Sequence, residues 1–186
     1  MIIKMKKGQH NTWIRVLIFL LVITITVIIY IYRDVVGNLE IYGYPGIFAV
    51  SVIANATVIF PLPGVLVASA LGPIFNPFYV AVAAGSGAAI GELTGYLAGY
   101  SGQIIVENRD WYTQLTQWVR RYGEITILVM AFIPNPIFDI AGMTAGALKM
   151  PVFRFLFWCW IGKILKMMVF AYTGASIYNL VVLAGT

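Results

Sequence analysis

Ala131-Phe132-Ile133-Pro134-Asn135-Pro136-Ile137-Phe138-Asp139-Ile140-Ala141-Gly142-Met143-Thr144-Ala145-Gly146 is apolar enough to sit in a bilayer, yet it holds two prolines, an amide and a carboxylate. Proline lacks the backbone donor and clashes with the preceding turn, so Pro134 and Pro136 break any helix that reaches them. A break in hydrocarbon leaves backbone groups unpaired, which is tolerated only where protein or a water-filled cavity surrounds it. The stretch therefore predicts a re-entrant helical hairpin: a helix to about Phe132, a turn at Pro134-Asn135-Pro136, and a return helix through Asp139 to about Ala147. An ionisable residue such as Asp139 at that depth is a candidate for function by default.

The rest of the chain shares this character. Of 186 residues, 61% are hydrophobic and 10% charged, with a mean hydropathy of +0.89. A soluble domain carries roughly 25% charged residues, so the composition predicts an integral membrane protein. The net charge of +5 reads as topology-setting loops beside anionic lipid, with no nucleic-acid partner expected. Cys159 stands alone, which excludes an internal disulfide and a cysteine metal cluster; it reads as a small packing residue. His10 is the sole histidine and lies in the polar N-terminal tail, so no histidine metal site or triad can form. With no base available to a serine or cysteine, hydrolase chemistry is not expected. No Gly-x-x-x-x-Gly-Lys-Ser/Thr motif is present, so neither a nucleotide nor any other cofactor is expected, and the chain does not read as an enzyme.

In chain order, residues 1–12 form a basic tail with Lys4, Lys6 and Lys7, and residues 13–186 a single membrane domain. Residues 13–32 are apolar apart from Arg15 and long enough to span a bilayer. Residues 33–45 are a polar connection. Residues 46–72 are apolar but interrupted by Pro61-Leu62-Pro63-Gly64, which predicts a first re-entrant hairpin with Asn55 and Thr57 before its break. Residues 77–100 span, with Gly87, Gly91, Gly95 and Gly99 at four-residue spacing as a helix-packing stripe and Glu92 beside it. Among the charges of residues 101–124, Trp111, Leu115, Trp118 and Val119 recur at helical spacing and predict an amphipathic helix on the membrane surface. A basic turn at 149–154 precedes the last spanning helix, 155 to about 172, and a short apolar tail from 174 that reads as the end of that helix plus a surface turn.

The broken segments share a pattern. Pro61-x-Pro63 is followed by Gly72 and Pro77, and Pro134-x-Pro136 by Gly146 and Pro151. If neither hairpin crosses and the N-terminus is cytoplasmic, Lys4, Lys6, Lys7, Arg15, Arg109, Arg120, Arg121, Lys149 and Arg154 face inward against Arg33 outside. The fold expected is thus all-α: an inverted repeat of two re-entrant hairpins, each followed by a transmembrane helix, plus an N-terminal transmembrane helix and an amphipathic surface helix. Secondary transporters of this layout bind near the midplane, where broken helices meet. Glu92 lies 15 residues after Pro77 and Lys166 lies 15 after Pro151. Glu92 is therefore expected to pair with Lys166, or with Lys163 one turn earlier.

Ile133-Pro134-Asn135-Pro136-Ile137-Phe138-Asp139-Ile140-Ala141-Gly142, then Gly146, Pro151 and Ile161-Gly162-Lys163, resemble the vacuole membrane protein branch of the VTT domain (SNARE-associated Golgi protein, DedA) superfamily. Gly91-Glu92-x-x-Gly95-Tyr96-x-x-Gly99 is similar to that family's Gly-acid-x-x-Gly-Tyr-x-x-Gly pattern. The resemblance covers roughly residues 48–175. It implies two opposed re-entrant hairpins and movement of lipid between leaflets. Eukaryotic members resemble phospholipid scramblases; bacterial DedA members are implicated in returning undecaprenyl phosphate across the membrane and in dependence on proton-motive force. The DedA branch carries an acid around its first hairpin and arginines around its second. Here residues 48–72 hold no charge, and the second hairpin offers Asn135 and Asp139. Arg154, Lys163 and Lys166 are the remaining basic candidates, assigned by position.

The function expected is translocation or scrambling of phospholipid or polyprenyl-phosphate lipid through a polar midplane cavity. Pro61, Pro63, Glu92, Pro134, Asn135, Pro136, Asp139, Arg154, Lys163 and Lys166 form the expected path. The rivals are a proton-coupled transporter of a small solute, with Asp139 or Glu92 as proton carrier, and a membrane scaffold. Membrane lipids are the expected partners, with protons if transport is coupled, and the glycine stripe leaves room for a homo-oligomer. The expected location is a prokaryotic plasma membrane, or endoplasmic reticulum or Golgi in a eukaryote.

Overall fold

Helix starts and stops follow the prolines and the polar residues beside them. The computed structural model describes residues 40–56, 64–102, 109–134 and 138–184. These form α1 (Glu40–Ala56), α2 (Gly64–Leu71), α3 (Pro77–Gly91), α4 (Leu93–Tyr100), α5 (Arg109–Tyr122), α6 (Glu124–Phe132), α7 (Phe138–Ala147) and α8 (Val152–Ala184). The basic tail, the expected N-terminal helix 13–32, Thr57, Pro61, Pro63, Asn135 and Pro136 lie outside the described residues.

The second break falls where proline chemistry places it. Ile133 is extended (φ −70°, ψ 128°), as the residue before a proline prefers, and α6 stops at Phe132. α7 resumes at Phe138. The two arms have nine and ten residues, only about 14 and 15 Å of helix. α3 starts on Pro77, which needs no donor at that position, and the Asn76 side chain accepts the Phe78 N–H at 3.0 Å. Glu92 lies between α3 and α4 with near-helical angles (φ −64°, ψ −15°). Its N–H still donates to Ala88 O, and Tyr96 N–H donates to Glu92 O, so residues 77–100 act as one rod. This rod and α8 are long and apolar enough to cross a membrane.

Four parts differ from the sequence expectation. α1 begins at Glu40, so part of the expected connection 33–45 is helical and Pro45 sits inside the helix. Proline so early in a helix removes one intrahelical bond and leaves the rest of the helix intact. The last helix does not end near residue 172: α8 runs unbroken for 33 residues. Gly174 is held in it by packing, because a Cβ there would stand 2.1 Å from Ser69 O of α2. α5 spends its apolar stripe on the protein rather than on the membrane surface alone. Leu115 and Val119 are buried against α6 and α7, while Trp118 stays exposed. The glycine stripe serves two partners. Gly87 and Gly91 receive the α1 backbone at Phe48 O and Val52 O, whereas Gly99 receives α7 at Met143 O.

Packing is close because the contact residues are small. α1 lies along α3, α6 along α8 near Gly162, α2 along α8 near Ala171, and α7 along α4. α3 crosses α8 where Gly85 meets Ile164. The contacts recur along the chain. A Cβ at Gly72 of the first half would stand 2.2 Å from Ala171 O, and one at Gly146 of the second half 2.0 Å from Tyr96 O. Gly99 meets Met143 O as Gly174 meets Ser69 O, and Gly87 meets Phe48 O as Gly162 meets Leu128 O. Gly72 and Gly146 differ by 74 positions; Gly87 and Gly162, like Gly99 and Gly174, differ by 75.

Candidate functional site

Four elements deliver polar side chains to one place. α1 brings Asn55, the turn between α3 and α4 brings Glu92, α7 brings Phe138 and Asp139, and α8 brings Lys163 and Lys166. Lys163 Nζ donates to Glu92 Oε1 in a salt bridge, and each residue is only 3% exposed. The ammonium also lies 3.3 Å from Asn55 Oδ1 and 4.6 Å from the centre of the Phe138 ring. Asn55 is aimed by its own amide, whose Nδ2 donates to Ser51 O at 2.9 Å and leaves the carbonyl for the lysine. The ring adds a cation–π contact on the remaining side. A lysine and a glutamate in hydrocarbon are each costly alone, and here hydrogen bonds occupy both ends of the pair.

The backbone around the pair is tied down. Thr94 Oγ1 lies 3.0 Å from both Ala56 O and Gly91 O, so one hydroxyl joins the end of α1 to the end of α3. Ser51 Oγ donates to Ala84 O at 2.8 Å. The Tyr96 hydroxyl donates to Met150 O, in the turn that leaves α7.

The two other charges are less satisfied. Asp139 is half-buried and Lys166 is buried. Neither makes a hydrogen bond or ion pair with a described residue, although Asp139 feels both Lys163 and Lys166 electrostatically. Among the described residues the cluster thus holds one made pair, one carboxylate and one ammonium without a hydrogen-bond partner.

The expected partners are therefore resolved in favour of Lys163. Lys166, favoured by repeat position, sits one turn further along α8. Arg154 is not in the cluster. Its guanidinium reaches Glu124 at 3.4 Å on an exposed surface, with 67% of its side chain accessible. A pair so exposed is worth about 0–1 kcal/mol. Arg154→Ala is expected to leave the thermal midpoint almost unchanged, as read by unfolding in detergent. Pro134 lies exposed at the end of α6, and the hairpin tips that would complete the site fall outside the described residues. Asn55 and Phe138 were missed as site residues. An amide at the end of an apolar helix, α1, was the available signal for Asn55; Phe138 carries none.

A groove of about 350 Å³ runs between α3 and α8. Ser86, Ala89 and Ile90 form one wall, and Leu156, Phe157 and Trp160 the other. Trp160 Nε1 donates to Ser86 Oγ at 2.8 Å across it.

Residues 62–176 match the VTT domain. The chain belongs to the VTT domain family. It is 31% identical over 99 residues to vacuole membrane protein KMS2 of Arabidopsis thaliana, which covers 51% of this chain but only 23% of that protein. It is 30% identical over 109 residues to inner membrane protein YqaA of Escherichia coli K12, covering 56% of this chain and 75% of YqaA. No solved structure matches it. These relatives place the VTT domain chain in a membrane. Glu92, Asp139, Lys163 and Lys166 all lie inside the matched domain, and Asn55 precedes its first residue by seven positions.

Proposed function

We propose that this protein moves membrane lipid between leaflets, as a translocase or scramblase. The observation that carries the reading is the buried Glu92–Lys163 pair, with Asp139 and Lys166 beside it, where four elements meet. Intramembrane charges are retained at a cost and mark transport paths. Ile90 is two residues before Glu92 on one wall, and Trp160 three before Lys163 on the other. The groove between the same two helices is apolar and suits an acyl chain, which favours an amphiphile over a small solute.

The inverted repeat of re-entrant hairpins is part of the proposal. Arms of about 14 and 15 Å are half of a hydrocarbon core of about 30 Å, so α6 and α7 suit a segment that enters and turns back. The glycine contacts that recur 74 or 75 positions apart fit two halves of one design, each lending its return arm to the other half's long helix. A second reading, proton-coupled carriage of a solute, draws on Asp139, the half-buried carboxylate without a described hydrogen-bond partner.

The test is reconstitution into liposomes holding fluorescent phospholipid, bleached from outside. The wild-type protein is expected to scramble without a gradient, and Asp139→Ala to slow it at least tenfold. Ile90→Trp, which narrows the groove from an exposed position, is expected to slow it too. Gradient-driven solute uptake with no lipid movement would replace the first reading by the second.

A further inference from the structure

A second apolar groove, of about 190 Å³, lies between α5 and α6. Trp118 and Tyr122 line it from α5, and Ile125, Thr126, Val129 and Met130 from α6. The chain turns between the helices at Gly123, whose φ of 55° suits a residue without a Cβ. Trp118, Tyr122, Ile125 and Val129 are all strongly exposed, so the groove opens outward.

Its rim is basic. Arg120 and Arg121 form the last turn of α5 and are exposed. The Arg121 guanidinium stands 5.3 Å from the centre of the Tyr122 ring, which is itself a wall of the groove. Glu124, the nearest acid along the described chain, is already engaged by Arg154. Among the described residues the corner therefore presents an excess of positive charge above an aromatic and aliphatic slot. An acyl chain suits the slot, and a phosphodiester suits an arginine fork. Tryptophan and tyrosine beside arginine belong at the headgroup level of a bilayer.

We propose that this groove binds an anionic phospholipid of the surrounding bilayer, its acyl chain between Trp118 and Val129 and its phosphate on Arg121. The site stands apart from the Glu92–Lys163 cluster and needs only the membrane location, so it does not depend on the transport reading. A groove without the arginines would accept any lipid. A basic residue near the surface favours an anionic lipid by roughly fivefold, about 1 kcal/mol converted through RT.

The full chain in phosphatidylcholine nanodiscs provides the test, with brominated phosphatidylglycerol or brominated phosphatidylcholine added as the quencher. The part of the tryptophan emission removed by Trp118→Phe is expected to be quenched by the anionic probe at a five- to thirtyfold lower mole fraction. Arg120→Gln with Arg121→Gln is expected to abolish that preference, and Val129→Phe to weaken quenching by both probes. In the wild type, 1 M salt is expected to erase the preference as well, which serves if the arginine variant does not fold. Equal quenching by the two probes would mean ordinary boundary lipid and overturn the proposal. So would a preference that survives both the substitutions and the salt.

Discussion

Glu92→Gln and Lys163→Met are each expected to destabilise the protein by about 3–5 kcal/mol, because each leaves its partner charged, buried and unpaired. Both residues are 3% exposed, so solvent offers the survivor nothing. The two variants are not equivalent. Glu92→Gln leaves Lys163 with Asn55 Oδ1 at 3.3 Å and the Phe138 ring. Lys163→Met leaves Glu92 with Lys166, one turn along α8, as the nearest replacement. The double variant Glu92→Gln with Lys163→Met removes the whole pair and is expected to return to within about 1 kcal/mol of the wild type, since a buried pair exchanged for neutral groups is often tolerated. Thermal unfolding in detergent reads all three. On the proposed function, lipid scrambling is expected to be lost in the double variant although its stability returns, which separates holding the fold from moving the cargo. Singles that unfold like the wild type would show that water reaches the pair and that it is not structurally buried.

Much of this arrangement was written in local chemistry. Proline acts on its own neighbours, so the break between Phe132 and Phe138 is legible in the local sequence. The partner of Glu92 could be narrowed only to Lys166 or Lys163, because the choice depends on register. The repeat runs at 74 positions from Gly72 to Gly146 but at 75 from Gly87 to Gly162. The one-residue drift moves the counterpart of Glu92 from Lys166 to Met167, and the actual partner is Lys163. The glycine stripe was legible as packing, but its two customers were not. Four-residue spacing winds about 40° per step around an α-helix, so from Gly87 to Gly99 the stripe turns by about 120°. That rotation carries it from α1 to α7. Asn55 reaches Lys163 across 108 residues, a distance that no local pattern encodes.

Gly99→Ala is expected to cost about 1–3 kcal/mol or more, while Gly95→Ala, one turn earlier on the same helix, is expected to be neutral or to stabilise by up to about 1 kcal/mol. A Cβ at position 99 would stand 1.9 Å from Met143 O and 2.6 Å from Met143 C. Those are backbone atoms of α7, so no rotamer change relieves the clash and the two helices must separate. A Cβ at position 95 would meet only Asp139 O at 3.7 Å, an ordinary contact, and alanine is the better helix former. Thermal midpoints of the two variants decide the matter, since both change one hydrogen to one methyl. Gly174→Ala extends the comparison to the other half of the chain. Its Cβ would stand 2.1 Å from Ser69 O, the counterpart of Met143 O, so its cost is expected to match that of Gly99→Ala. Equal losses would be the energetic mark of two halves built on one plan. A harmless Gly174→Ala beside a damaging Gly99→Ala would mean that α2 can yield where α7 cannot, and that only α7 is held rigidly against the long helix it packs on.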